Sequence, residues 1–352
     1  MAEFPVHPDE VTAPWLSAML GSEITRVSWK HIGTGQVGDS ARFTLEGPEV
    51  DASVPATLAG KFPAADATSR ETAAMFGLYR KEVLFYCDVA PQLDVRVPQV
   101  HFAATCEEGH RFCLIFEDLG PARQGDQIAG CTLDDARAAI RQAAAIHAPS
   151  WGKTSIIEAE WIVPSPAVAE RVALMYPHAQ AIFRERYKDT LEPEFMTVCE
   201  EFAEDYGSQI HQQHRHQCLI HGDFRLDNML FDIRGGAEPV AILDWQTVAP
   251  GMAMTDIGYF LGCGIGELGL AHEDELLDLY LAEMERRGVS LTRAGIHADY
   301  RRGILHGLST AVFSAAFVER TDRGDANFLS MARGACALAL KHDSIGAMKE
   351  AH

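Results

Sequence analysis

The chain has 352 residues, 47% of them hydrophobic and 23% charged, an ordinary globular composition long enough for two lobes and a sizeable core. Fifty acidic residues against thirty basic ones leave a net charge of −20, and the lack of any basic stretch to neutralise phosphates argues against a nucleic-acid partner. Eight cysteines without a C-x-x-C pair, an acidic opening MAEFPVHPDE and no run near the ~18 apolar residues of a membrane span predict a cytoplasmic protein with no membrane partner.

Residues 8–20 read as a short helix, with Asp9 as its cap ahead of Val11, Trp15, Leu16 and Met19. The period then falls to two. ITRVSWKHI (24–32), SARFTLE (40–46) and VPATLAGKF (54–62) are strands, the second setting Ala41, Phe43 and Leu45 against Ser40, Arg42 and Thr44. Between the first two lies GTGQVG, with Gly33, Gly35 and Gly38. A strand follows it rather than a helix, which rules out the dinucleotide design. Either a phosphate-covering turn or an ordinary glycine hairpin remains, and the stretch alone favours the hairpin.

Lys61 ends the third strand among small and apolar neighbours, where it can reach inward to phosphates if a carboxylate fixes its direction. A helix over 67–89 offers Glu82 in the apolar setting VLFY, with Glu71 as a rival; two unrelated surface charges are the plainer alternative. VPQVHFAAT (97–105) and HRFCLIFED (110–118) complete five strands and one helix. The remainder is mostly helical, over 133–151, 165–188, 194–214, 272–288, 293–318 and 326–341, interrupted by short strands at QCLI, MLFD and PVAILD. The expected architecture is α+β: a nucleotide-binding antiparallel sheet lobe over 1–116 and a larger, mainly helical lobe over 117–352.

The chemistry concentrates in HGDFRLDNMLFD (221–232) and ILDWQ (242–246). Asp223, Asn228 and Asp244 are either turn formers between strands or a base and two oxygen ligands for Mg²⁺, a hard cation that takes few protein groups. These motifs resemble the aminoglycoside phosphotransferase superfamily of small-molecule kinases, in particular its choline-kinase-like and ecdysteroid-kinase-like branch. The resemblance is carried by HGDFRLDNMLF, AILDWQ and TDIGYFLG, and in the first lobe by GTGQVG, AGKF, RKEVLFY and LIFEDLG. HGDFRLDN is also similar to kinase-like domains fused to acyl-CoA dehydrogenases.

The resemblance implies a two-lobed protein-kinase-like fold that binds ATP, or GTP, with its phosphates under Gly33, Gly35 and Gly38. It implies Lys61 on phosphate with Glu82 as its partner, and a hinge of Glu117, Asp118 and Leu119 offering backbone groups to adenine. Asp223 would be the catalytic base, Asn228 and Asp244 the Mg²⁺ ligands, and His221 a packing residue under the loop. Asp256 would brace that loop or, as the simpler reading, cap the helix before IGYFLG. Trp245 and Gln246 stand where protein kinases have Phe–Gly after the metal aspartate, which argues against a protein substrate and a switchable activation loop.

The acceptor is expected to be a small hydroxylated molecule held by the helical lobe. EDE at 273–275 with Glu283 and Glu285 would suit a cationic antibiotic, and GILHGLSTAVFSAAF (303–317) a steroid- or lipid-like alcohol. A solvated helix face and a core helix explain the same stretches, and a hydrophobic metabolite ranks ahead of an antibiotic. His211, His214, His216 and His221 invite a zinc reading, but no further ligand completes a tetrahedral set and helix-end histidines explain them better. No G-x-S-x-G supports a hydrolase. The rival from another class is a pseudokinase, a nucleotide- or ligand-binding sensor or scaffold without transfer; the joint presence of Lys61, Asp223, Asn228 and Asp244 favours the enzyme.

Overall fold

Strand alternation in the first hundred residues builds one face of a sheet. The computed structural model describes residues 4–33, 38–47, 54–163, 165–207, 217–318 and 320–350. Strands β1 (Arg26–Ile32), β2 (Gly38–Glu46), β3 (Thr57–Pro63), β4 (Val100–Thr105) and β5 (Phe112–Glu117) form an antiparallel sheet in the order β1-β2-β3-β5-β4. Ala41, Phe43 and Leu45 lie on its buried face with Leu58, Phe62 and Ile115, covered by Leu16 of α1 (Ala13–Leu20).

Asp9 does not cap α1. Pro14 in the first turn fixes the start at Ala13, and the Thr12 hydroxyl accepts the Trp15 amide there. Asp9 instead accepts the Trp29 indole N–H at 2.8 Å. The helical stretch after β3 is also divided. Gly77, at φ 65°, separates α2 (Ala67–Phe76) from α3 (Leu78–Leu84), and a π turn follows over Phe85–Val89.

The second lobe is mainly helical, with α4 (Leu133–Ser150), α5 (Thr154–Ile157), α6 (Pro166–Tyr187), α7 (Pro193–Glu204), α8 (Ala253–Tyr259), α9 (Gly266–Arg286), α10 (Arg293–Phe317), α11 (Asp322–His342) and α12 (Ser344–Lys349). Two small sheets sit where the lobes meet. One has the order β6-β8-β9, from Arg123–Gln124, Met229–Asp232 and Glu238–Ile242, and the other pairs β7 (Cys218–Ile220) with β10 (Ala249–Gly251). The two- and three-residue strands β6 and β10 are too short to show a period in sequence. Of the helix expected to residue 214, α7 ends at Glu204, a turn at Asp205 follows with Tyr206 and Gly207 again helical, and His211, His214 and His216 lie outside the described residues.

Gly258 of α8 and Gly303 of α10 bring the two helices into backbone contact: a Cβ on Gly258 would stand 2.5 Å from the Ile304 nitrogen. Along α10, Ile304, Leu308, Ala311, Val312 and Ala315 are buried, so most of the apolar run 303–317 packs in the core, while Phe317 at its end is 49% exposed. Among the described residues no helix is long and apolar enough to cross a membrane.

Candidate active site

β7 delivers the chain into His221–Gly222–Asp223 at the meeting of the lobes. Gly222 has φ 80° and lies against the Thr247 carbonyl, a position closed to any side chain. Asp256, fully buried in the first turn of α8, fixes the loop from below: it accepts the His221 amide at 2.7 Å and the Gly222 amide at 2.9 Å. It is not the cap of α8, which begins after Met252. Burial pushes the Asp256 carboxyl up, but His147 Nε2 at 3.2 Å and the loop amide outweigh it and hold the group below its ordinary value. His147 is turned by a second contact, Nδ1 to the Tyr280 hydroxyl at 3.0 Å.

His221 is itself buried. Its Nδ1 accepts the Asp223 amide at 3.2 Å, so Nε2 carries the proton and donates to the Leu243 carbonyl at 2.9 Å. From α10, His306 Nε2 donates to the Gly222 carbonyl at 2.8 Å. His147 and His306 escape a reading of the sequence because each is a lone histidine in an amphipathic or apolar helix, far along the chain from the loop it supports.

The Asp223 carboxylate has three donors. Asn228 Nδ2 lies 2.7 Å from Oδ2, the Tyr259 hydroxyl 2.6 Å from Oδ1, and Arg225 Nε 3.0 Å from Oδ1. Burial alone would raise its pKa, but Arg225, Tyr259 and Asn228 together hold it below the usual carboxylate range, so it is an anion at neutral pH. Because the Asn228 nitrogen is committed to Asp223, also reaching its carbonyl at 2.9 Å, oxygen is the atom that Asn228 can offer elsewhere. Tyr259 and Arg225 stand inside the quoted motifs and were legible as neighbours of Asp223, though nothing in the spacing assigns them to it.

Asp244 follows β9 in the left-handed region, φ 63° and ψ 71°, a strained setting for a residue other than glycine. Its Oδ1 is 3.1 Å from Lys61 Nζ, which also meets Glu82 Oε1 and Oε2 at 2.8 and 2.7 Å. Burial of Lys61 disfavours its charge, but Asp244 and Glu82 more than compensate and raise its pKa. Glu82, 1% exposed, is pushed up by burial and only partly pulled back by Lys61. Glu71 is exposed on α2. Gly38 lies beside the lysine, where a Cβ would be 3.4 Å from Lys61 Cε and 3.1 Å from the Phe62 carbonyl, and Gly33 takes φ 74°. Gly35 lies outside the described residues. Phe85, just beyond α3, stacks on Trp245 at 3.8 Å and 8°, fastening the Glu82 helix to the segment after Asp244.

The segment Glu117–Leu119 joins the lobes with its side chains already engaged. Glu117 pairs with Arg96 at 2.6 Å and with Arg234, and Asp118 with Arg42 at 2.8 Å. Leu119 packs on Ile233 and Ala241. The Glu117 amide donates to the Gln99 carbonyl and the Leu119 carbonyl accepts from Arg234, which leaves the backbone around Asp118 as the free part of this segment. The acids of α9 are engaged by neighbouring side chains: Glu273 is buried against Tyr300 at 2.7 Å and Lys341 at 2.6 Å, and Glu283 is held by Arg286 and Arg287.

The donor set suits Mg²⁺. Asn228 and Asp244 present hard oxygens, the Asp244 side chain is 29% exposed, and the pair leaves the remaining positions to water and phosphate.

The sequence of the chain matches the ecdysteroid kinase-like family over residues 21–292. A search of curated protein sequences gives no match. Among solved structures, it superposes on aminoglycoside 2'-phosphotransferase-IIIa in its GDP complex with TM-score 0.55 at 15% identity, covering 92% of this chain and 96% of that one. A protein from Ralstonia eutropha assigned as an aminoglycoside phosphotransferase gives TM-score 0.53 at 20% identity over 94% and 97%. One from Thermobifida fusca assigned as a fructosamine-3-kinase gives 0.51 at 18% over 97% and 99%. These likenesses establish the two-lobed kinase-like fold. The chain belongs to the ecdysteroid kinase-like family.

Proposed function

We propose, starting from that family membership, that the protein is a small-molecule kinase that transfers the γ-phosphate of ATP or GTP to a hydroxyl of a small metabolite. The observation that carries the proposal is convergence. Lys61 from β3, Glu82 from α3 and Asp244 form one hydrogen-bonded set, Asp223 and Asn228 from the loop after β7 form another, and the Leu243 amide, donating to the Asn228 carbonyl at 2.9 Å, holds the two segments side by side. The same fold holds GDP in aminoglycoside 2'-phosphotransferase-IIIa, which supports a nucleotide here.

In this reading Gly33, Gly35 and Gly38 cover the phosphates and the backbone of Glu117, Asp118 and Leu119 faces the base. Lys61, steered by Glu82, neutralises phosphate oxygen charge. Asn228 Oδ1 and Asp244 would hold Mg²⁺, which when bound would supply further charge neutralisation. Asp223 orients the acceptor hydroxyl and receives its proton as the new O–P bond forms; the bond to the bridging oxygen breaks and its electron pair leaves with the nucleoside diphosphate. Positioning and charge supply most of the catalysis, since phosphoryl transfer asks little covalent chemistry of the protein.

Thermal melts with and without Mg·ATP or Mg·GTP test this reading. At a hundred times its dissociation constant, a ligand adds about 2.7 kcal/mol of stability. The native chain and Asp223→Asn should both gain an upward, magnesium-dependent shift, and Asp244→Asn should lose most of it. Acceptor-dependent release of nucleoside diphosphate should vanish in Asp223→Asn. A native chain indifferent to both nucleotides at millimolar concentration would overturn the proposal.

A further inference from the structure

Beside the Lys61–Asp223 centre the surface opens into a groove of about 590 Å³, within the range of small-molecule sites. Its floor is Gln246, Thr247 and Ala249, the segment directly after Asp244 and Trp245. Thr247 ties that floor to the catalytic loop, its hydroxyl donating to the His221 carbonyl at 2.9 Å. One wall comes from the end of α2 and the start of α3, with Met75 and Phe76; the other comes from Trp161 and from Val168 and Val172 of α6. Met75 is 55% exposed, so an apolar surface is left open in this groove.

The charge of this groove is opposite to that of the molecule. The chain carries 50 Asp and Glu, yet none of them lines the groove, whereas Arg80 and Lys81 both do. Lys81 directly precedes Glu82, but the two side chains serve different neighbours: Glu82 holds Lys61, and Lys81 makes no ion pair with any described residue. Burial against the groove lowers the Lys81 pKa, and no carboxylate offsets that. A partly desolvated ammonium without a counter-ion, at the edge of an apolar trough, is the half of an ion pair that a ligand completes.

We propose that this groove binds the phosphoryl acceptor, and that the acceptor is an apolar hydroxy acid: a hydrocarbon body against Met75, Trp161 and Val172, a carboxylate on Lys81, and a hydroxyl directed to Asp223. The proposal rests on the kinase reading and names its substrate class. It sets this chain apart from a kinase for cationic antibiotics, since a groove lined by Arg80 and Lys81 and by no acid repels an ammonium ligand.

The test compares 12-hydroxydodecanoate with 1,12-dodecanediol, which keeps the length and a hydroxyl but lacks the charge. Binding is measured by calorimetry in the presence of Mg²⁺ and a non-hydrolysable ATP analogue, on the native chain and on Lys81→Met. The acid should bind the native chain about tenfold or more tightly than the diol, as expected for a charge-assisted contact. Lys81→Met should erase that preference and leave diol binding unchanged. The native chain with ATP should release ADP faster with the acid than with the diol. Equal binding of acid and diol, binding of neither, or an acid preference that survives Lys81→Met overturns the groove assignment, even where the magnesium-dependent nucleotide shift is present. A Lys81-dependent acid preference without ADP release upholds the groove as an anion-ended apolar site and counts instead against phosphoryl transfer.

Discussion

Replacing Lys61 by Met removes the one cation that touches the buried Glu82 carboxylate among the described residues and keeps most of the side-chain volume. Glu82 is 1% exposed, and both of its oxygens lie within 2.8 Å of the ammonium. Breaking such a pair from one side costs roughly 3–5 kcal/mol when the survivor stays charged. Glu82 has an escape, because it can take a proton. From its ordinary value of 4.5, doing so costs about 3.4 kcal/mol at pH 7 and about 0.7 kcal/mol at pH 5, which sets a ceiling on the loss at each pH. The sign follows: in Lys61→Met the folded pKa of Glu82 lies above the unfolded one, so stability is retained below about pH 4.5 and falls as pH rises through the folded pKa. Because the native Glu82 already sits above its ordinary value, urea unfolding should show the variant weaker than the native chain by up to about 3 kcal/mol at pH 7 and by under about 1 kcal/mol at pH 5. Adding Glu82→Gln should restore most of the loss at pH 7. A loss of the same size at both pH values, or a double variant no better than the single one, would refute the account of Glu82 as a carboxylate held ionised by Lys61.

Tyr259→Phe removes the 2.6 Å donor on Asp223 Oδ1. The carboxylate loses a charge-assisted hydrogen bond, so its pKa rises, and the acid limb of the kcat–pH profile should move up by about one unit while the plateau changes little; an unmoved limb would detach Tyr259 from the base. Glu273 is held at a pKa of about 2: burial pushes it up, but His342, Lys341 and Tyr300 prevail. Its contribution is present above the unfolded value and is lost as pH falls from about 4.5 towards 2, so Glu273→Gln should cost about 3 kcal/mol at pH 7 and progressively less below pH 4.5, as read by denaturant melts. A constant difference from pH 7 to pH 3 would deny Glu273 that role.

What the sequence made legible is local. The strand period of SARFTLE, the strong helix periods and the spacing within HGDFRLDN all lie inside single elements, where neighbours along the chain are neighbours in space. The five sheet strands and the long helices follow within a few residues, and Asp223, Asn228, Asp244, Lys61 and Glu82 assemble at one place. The misses are non-local or depend on a backbone detail. Thr12 and Asp9 are both competent caps, and the proline after Ala13 decides between them. Gly77 breaks a helix that apolar spacing alone carries straight through. His147 and His306 reach the catalytic loop from 109 and 84 residues away to Asp256 and Gly222, distances at which sequence pattern carries no signal. Glu273 could not be told from a solvated charge because its basic partners, Lys341 and His342, are contributed by another helix.

The Phe85–Trp245 stack also bears on control. Both rings are fully buried, and they join the helix carrying Glu82 to the strand end carrying Asp244 at a point just past the Lys61 ion pair. Enzymes of this architecture that are switched by swinging that helix outward need a weak seam there. Here the seam is dry aromatic packing, with about 0.5–1.5 kcal/mol in the ring pair beyond the area it buries. Swinging the Glu82 helix away from Asp244 would therefore separate the stacked rings and break the Lys61 ion pair in the same movement.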